Sequence, residues 1–378
     1  MKIVMIGPVY PFKTGLSYYV SLLYMQLKKH HDVTLLSYTM QYPRLLYKKP
    51  QKDYEDDTLK IEDAEFVLNS ANPFSCLKTA AKINKLQPDL VIFQWLHPYF
   101  APCYTIIAKH IKTAKTLFMC HNVFPHERFI LDKKLTKMTL KQGDYFTVHA
   151  KSDAEDLLSI LPDANLQVTV HPAYNFFKQK DLSRAQAREF LNIPDEAKVL
   201  LFFGLVREYK GLRHLLDALK ILKDEDPENT RGLHLLIAGD FAGGRPEYDA
   251  YIDTLGISGM LNITDGHIPI GEVEKFFAAC DLVVLPYEDA TQSGVIQVAY
   301  SFDKPVLATR VGGLPDVVFD GETGYLVEPK RPDLIAQAVL DFFDNNRAEA
   351  LAAGIEREKY RYSWEKMENV IMGFGADK

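Results

Sequence analysis

Four short stretches of this 378-residue chain combine small, hydroxyl-bearing and cationic residues in patterns suited to holding an anion. One is Arg207-Glu208-Tyr209-Lys210, within "FFGLVREYKGLRHLL", directly before a helix-like run. An arginine fork and a lysine point charge beside a helix start can neutralise a diphosphate; two solvated surface charges are the plainer reading of the same spacing. Another is Thr291-Gln292-Ser293-Gly294, within "EDATQSGVIQVAY", where the residues are small or uncharged and the carboxylates stop at Asp289. Small residues at a helix start leave backbone N–H groups open to an anion, and hydroxyls add donors. A simple Ser/Thr cap would account for the same residues. The glycines of "GGLPD" (312–316) and "GLSYY" (15–19) could let the chain pass close to a ligand or merely turn a corner.

Imidazoles form a second group. In "FQWLHPYFAP" (93–102) and "CHNVFPHERF" (120–129), His97, His121, His126 and Glu127 all follow apolar runs and could line one site. Histidines in such places are as often part of a packed core as catalysts. His121 and His126 are wrongly spaced for a helix-face metal pair, and no HExxH is present. The acidic run 224–226 follows a helix and precedes "PEN", a solvated loop rather than a metal site. Cys76, Cys103, Cys120 and Cys280 are scattered without a CxxC, as expected of reduced thiols in packed positions. Neither first strand is followed by G-x-G-x-x-G, which argues against a nicotinamide dehydrogenase.

The elements that must position these residues alternate along the chain. "KIVMIG", "DVTLLSY", "DLVIFQW", "TLFMCHN" and "YFTVHA" read as buried strands, with amphipathic stretches such as 16–29 between them. Ser152 with Glu155 reads as a capping box opening the helix "SDAEDLLSIL". After a proline-bounded pause at 172–198, a second series begins: "VLLFFG", "LHLLIAG", "LNITDG", "DLVVLPY" and "PVLAT". Its helix "GLRHLLDALKIL" has Leu212, Leu215, Leu216, Leu219 and Leu222 at helical spacing. This alternation predicts an α/β protein of two doubly wound, Rossmann-like domains facing across a cleft, with ligands beyond the carboxyl ends of the strands. The polar loop 47–65 reads as long enough to be mobile.

Composition narrows the class. The chain is long enough for two ordinary domains, and no apolar run reaches membrane-span length. The start "MKIVMIGPVYPF" reads as a buried strand rather than a signal peptide, which speaks against a secreted solute receptor. Net charge is +5 over residues 1–175 against −11 over the remainder, so an anionic partner is expected on the first half, or simply an uneven scatter of lysines.

Together these residues resemble a retaining glycosyltransferase of family 4, of GT-B architecture, over nearly the whole chain. The similarity lies in "GPVYPFKTGLSYYVSLLYMQL", "LSRAQAREFLNIP", "FFGLVREYKGLRHLLDAL", "LHLLIAGD" and above all "KPVLATRVGGLPDVVFDGETGYLVEP". It implies an acceptor domain over 1–174, a nucleotide-sugar domain over 175–358, and a helix within 359–378 that crosses back to the first domain. It also implies that Arg207 and Lys210 hold the donor diphosphate and that His121 orients the sugar. Donor contacts are expected from Gly15, Gly204, Thr291, Gln292, Ser293 and Gly294, and acceptor contacts from His97, His126 and Glu127. The family's usual two glutamates are absent: an ungapped alignment puts Ala290 and Val298 there. Glu288 or Asp289 stands near the first position and Gln297 near the second. The expectation is sugar transfer from a nucleoside diphosphate to a hydroxyl of a glycan or lipid-linked glycan, for a cell-surface polysaccharide or glycolipid. No cofactor, metal or nucleic acid is expected. The implied location is cytoplasmic, with peripheral contact between the first domain and an anionic membrane through "RLLYKKPQK" and "KKLTKMTLK". Rivals are a 2-epimerase of the same architecture and an inactive sugar-nucleotide-binding relative.

Overall fold

The computed structural model describes residues 1–12, 15–47, 50–54, 57–125, 129–228 and 230–374. Thirteen strands are described: β1 Lys2–Ile6, β2 Asp32–Met40, β3 Glu65–Asn69, β4 Leu90–Trp95, β5 Lys115–Cys120, β6 Tyr145–Val148, β7 Leu166–Val168, β8 Lys198–Phe203, β9 Leu233–Gly239, β10 Leu261–Asp265, β11 Leu282–Leu285, β12 Val306–Thr309 and β13 Gly324–Val327. They form two parallel sheets, ordered β3-β2-β1-β4-β5-β6-β7 and β10-β9-β8-β11-β12-β13. In each, the first strand of the series lies centrally and the order reverses beside it. That reversal is the switch point where doubly wound sheets receive ligands.

The central strands are continuous apolar runs because helices cover both faces. All six residues of β4 are buried, as are the four of β11 and of β12. The helix Leu212–Glu225 buries Leu212, Leu215, Leu216, Leu219 and Leu222 against the second sheet. At about 25 cal/mol per Å² of apolar area, each such leucine contributes roughly 1.5–3 kcal/mol.

The chain divides into two compact units, Met1–Val170 with Trp364–Lys378, and His171–Ser363. The first unit is completed from the far end of the sequence. The helix Trp364–Gly373 packs on the helix Gly15–Lys28, with Gln26 Nε2 donating to Glu368 Oε2 at 2.6 Å and His30 Nδ1 at 2.8 Å from Glu368 Oε1.

One local expectation is corrected. The helix containing Ser152 begins at Lys151 after Ala150, with no side-chain cap, so Ser152 is an exposed first-turn residue. A capping box does occur at Ser183 and Gln186, opening the helix Arg184–Phe190. Within the polar stretch 47–65, Leu59 and Ile61 are buried and Asp63 accepts from Tyr24 Oη at 2.7 Å, while Tyr54, Asp57 and Thr58 are exposed. Lys48, Lys49, Glu55 and Asp56 lie outside the described residues.

Candidate functional site

The carboxyl ends of β8 and β11 bring two of the four loops together. After β8 the chain passes Gly204 at φ +102, then Arg207, then a single 3-10 turn Glu208–Lys210 that leads into the helix Leu212–Glu225. A side chain on Gly204 would put its Cβ 3.4 Å from Lys210 Nζ and 3.9 Å from Val295 Cγ2. The glycine thus makes room for the lysine ammonium beside the start of the helix Gly294–Ser301. Lys210 Nζ also lies 5.5 Å from the Tyr287 ring centroid. Burial, and secondarily the charge of Arg207, lower its pKa to about 8. Arg207 is exposed and extended, and neither cation is paired with a carboxylate among the described residues.

After β11, Tyr287 is buried and its hydroxyl lies 3.4 Å from Ser293 Oγ. One phenol ring therefore connects the Lys210 ammonium to the hydroxyl at the helix start. Ser293 occupies the N-cap position in an extended conformation, yet its side chain makes no capping hydrogen bond. The plain cap reading is not what this serine does here. Gln292 Nε2 and Gln297 Oε1 are buried without a hydrogen-bond partner, and Gln297 as a whole is 1% exposed. Unpartnered buried polar atoms are rare in folded proteins and call for an explanation such as a ligand.

The loop is held in shape by the next one. Thr309 Oγ1 donates to Tyr287 O at 2.6 Å and Gly313 N to Thr291 O at 2.9 Å. Gly312, at φ +48, has no room for a side chain: its Cβ would lie 1.5 Å from Ala290 O. "VGGLP" therefore works as a backing for 287–293. Glu288 is already engaged, with Oε2 at 2.8 Å from Lys330 Nζ and Oε1 at 2.8 Å from His214 Nε2. The lysine holds its carboxyl below the usual range. Asp289 is exposed. Tyr287, His214 and Lys330 were not singled out from the sequence, since nothing local marks an aromatic at a strand end or a lysine forty residues downstream as parts of one cluster.

The first unit places His121 just past β5. Its Nε2 lies 2.7 Å from Gln94 Oε1 on β4, and its ring stands edge-on to Tyr19 at 4.7 Å. With the carboxamide oxygen accepting, Nε2 carries the proton. His149, 5.3 Å away, is kept neutral by burial, its pKa lowered to about 4. His97 is separate from that cluster: its Nδ1 accepts from Tyr99 N at 3.0 Å and its ring stacks on Phe129. Gly15 opens the helix Gly15–Lys28 with open space where a Cβ would be. His126 and Glu127 lie outside the described residues. Among the described residues, no group of three His, Cys, Asp or Glu could hold a metal ion, and no helix is long and apolar enough to cross a membrane.

Known proteins resemble this chain in sequence over part of its length and in fold over the whole of it. Residues 197–345 match the family "Glycosyl transferases group 1". The D-inositol 3-phosphate glycosyltransferase of Streptomyces avermitilis is 33% identical over 230 residues, which are 58% of this chain and 48% of that protein. That of Corynebacterium diphtheriae is 29% identical over 231 residues, 59% of this chain and 52% of that one. The match thus spans about half the length of these relatives. Among solved structures, Anabaena HepE in complex with UDP has a TM-score of 0.75 at 15% identity, with both chains covered completely. Sucrose-phosphate synthase from Thermosynechococcus elongatus has 0.73 at 17%, again over both whole chains. Residues 197–345 are thus similar to the glycosyl transferases group 1 family, and the chain shares its fold with HepE and sucrose-phosphate synthase.

Proposed function

We propose that this chain transfers a sugar from a nucleoside diphosphate to an acceptor hydroxyl with retention of configuration, using the carboxyl ends of β8 and β11 as the donor-phosphate site. The observation that carries this is the meeting of Lys210, an ammonium unpaired among the described residues, with an uncapped, carboxylate-free helix start at Ser293 and Gly294. Departure of the diphosphate builds negative charge, and preorganised donors at that point are usually the largest catalytic contribution. Arg207 and Lys210 supply the cations, the 293–294 backbone and the hydroxyls of Thr291 and Ser293 the hydrogen bonds. Gln297, at the position nearest the family's missing second glutamate, offers a neutral contact to the nucleoside. With two cations on the diphosphate, the reaction as proposed does without a metal. His121 is assigned to the donor sugar, with its tautomer fixed by Gln94.

The acceptor side is assigned to the first unit, whose basic balance suits an anionic acceptor. The named activity of the curated relatives uses D-inositol 3-phosphate, a small anionic polyol; we favour a glycan carried on a lipid, on the strength of exposed Leu45, Ile130 and Leu131 with the exposed cations Arg44, Lys133, Lys134 and Lys137 in the first unit. The test is incubation with UDP-, GDP-, dTDP- and ADP-sugars, with and without inositol 3-phosphate or a short-chain lipid-linked sugar. Acceptor-dependent release of nucleoside diphosphate, with an α-linked product from an α-linked donor by NMR, is the expected result. Conversion of the donor without acceptor would assign an epimerase instead, and no turnover of any donor would overturn the reading.

A further inference from the structure

We propose that Asp153 is a positioning residue for the transfer: its carboxylate holds the loop that carries His121 and so sets where that imidazole meets the donor sugar. This rests on the assignment of His121 to the donor sugar.

After β5 the chain runs through His121, Asn122, Val123 and Phe124. Val123 is fully buried, and side chains take both of its backbone groups. Its N–H donates to Asp153 Oδ1 at 3.2 Å, and its carbonyl accepts from Trp95 Nε1 at 3.2 Å. Two residues back, His121 N donates to Trp95 O at 2.9 Å, while its ring meets Gln94. Trp95 lies in the core on β4, and Asp153 stands in the first turn of the helix Lys151–Ile160. The loop is thus gripped from the strand on one side and from the helix on the other.

The choice of a carboxylate here is costly. Asp153 is 2% exposed, its Oδ2 is buried without a hydrogen-bond partner, and among the described residues no cation pairs with it. Asparagine could accept from Val123 in the same place without burying a charge, so a purely structural role does not call for aspartate. A charge buried at the expense of stability is a mark of function. What the carboxylate adds is strength: an ionised acceptor holds an N–H roughly twice as firmly as a neutral one.

Burial pushes the Asp153 carboxyl up to about 6, with the Val123 amide opposing and Asp156 adding to the rise. On its own helix, Lys151, Glu155 and Asp156 are exposed. The titratable groups of the neighbouring elements are His121 in the loop, Cys120 at the end of β5, and Tyr145 and His149 on and just after β6. Burial, and less so Asp153, push the Cys120 thiol well up; burial keeps His149 neutral; and Tyr145 stacks on Phe374. β7 carries no titratable side chain. Below about pH 6 the carboxyl takes up a proton, the bond to Val123 falls to ordinary strength, and the grip on the His121 loop slackens.

The test compares the whole wild-type chain with Asp153→Asn, which keeps both shape and an acceptor for Val123. Melting temperature is followed from pH 4 to 8 and turnover from pH 5 to 8. Calorimetry gives the affinities for a nucleoside diphosphate and for its sugar nucleotide. With a folded value of about 6 against the ordinary 3.8, the folded state binds the extra proton between these values. The wild type should therefore lose melting temperature relative to the variant as pH rises through that window, and at pH 8 the variant should melt no lower than the wild type. Turnover of the wild type should show an acid limb near pH 6 that the variant lacks. At pH 8 the variant should lose about tenfold in kcat through misplacement of His121. Its affinity for the sugar nucleotide should fall several-fold while that for the bare diphosphate stays. Equal pH slopes of melting temperature in the two proteins, or wild-type kcat with the acid limb intact in the variant, would overturn the inference. So would a loss of kcat that merely follows a lowered melting temperature, since that marks a structural role. Diphosphate affinity reports separately on the donor-phosphate site. If the wild type binds no diphosphate, the reading of the site falls and this inference with it; if binding persists while Asp153→Asn is fully active, only the role of Asp153 falls.

Discussion

Strands β8 and β11 are neighbours in the second sheet, and their two ends are built in opposite ways. At the amino ends the buried charge of Arg188 and that of its partner Asp281 are satisfied within the chain. Arg188, 1% exposed, donates to Ala279 O at 3.0 Å, to Ala197 O at 2.8 Å, to Asp195 O, and to Asp281 Oδ2 at 2.9 Å. Asp281 in turn accepts from Val199 N at 2.8 Å. Nearby on the chain, buried Glu274 accepts from three backbone amides, those of Gln179, Lys180 and Leu182. At the carboxyl ends the groups are left open among the described residues: Lys210 without a carboxylate, Ser293 without a capping bond, Gln292 and Gln297 with unpartnered buried atoms. A buried charge kept for structure must be satisfied within the chain, because an orphan costs several kcal/mol. A charge kept for a ligand is completed only when the ligand arrives.

The largest expected effect breaks the closed end. Arg188→Ala takes the guanidinium from three carbonyls and leaves Asp281 with only Arg184 and the Val199 amide; it should lower stability by about 3–5 kcal/mol, read from urea unfolding. Diphosphate affinity per folded molecule should stay as it was. At the open end the order reverses. Lys210→Met should cost about 100–1000-fold in kcat, roughly 2.7–4 kcal/mol of transition-state stabilisation, with no loss of melting temperature.

The pH dependence sharpens the same contrast. Lys210 has a folded pKa of about 8 against 10.5 for an ordinary lysine. Between those values the unfolded chain binds more protons, so this residue makes stability rise with pH from about 8 to 10.5. Diphosphate affinity should fall over the same range as the free site loses its ammonium. Both slopes should vanish in Lys210→Met, measured by melting curves and titration calorimetry. The smallest effect belongs to Gln297→Leu, which removes a buried acceptor that has no partner. Stability should change by less than about 1 kcal/mol, while nucleotide affinity drops several-fold.

The parts of this fold readable from the sequence are those with strong local signals. The buried central strands appear as unbroken apolar runs, and the helix Leu212–Glu225 as a leucine stripe. The strands that escaped are at sheet edges or are short: β7 has three residues, two of them exposed, and β3 only one buried. Ser152 misled because a Ser-x-x-Glu spacing states what could cap a helix, not where the helix begins. In the site, Arg207, Lys210 and the 291–294 loop were readable from type and spacing. The engagement of Glu288 by His214 and Lys330 was not, because those partners are 74 and 42 residues away along the chain. Nor did the sequence disclose that Tyr287 joins Lys210 to Ser293, a relation that exists only once β8 and β11 lie side by side.

The most direct test is the melting temperature of the wild type, Lys210→Met and Arg188→Met with UDP, GDP, dTDP, ADP and NAD. A ligand at a hundred times its Kd stabilises the folded state by about 2.7 kcal/mol. One nucleoside diphosphate should produce that shift in the wild type and in Arg188→Met, and lose most of it in Lys210→Met. A shift with NAD and none with the diphosphates, or a diphosphate shift that Lys210→Met leaves intact, would contradict the assignment of the open end as the donor-phosphate site.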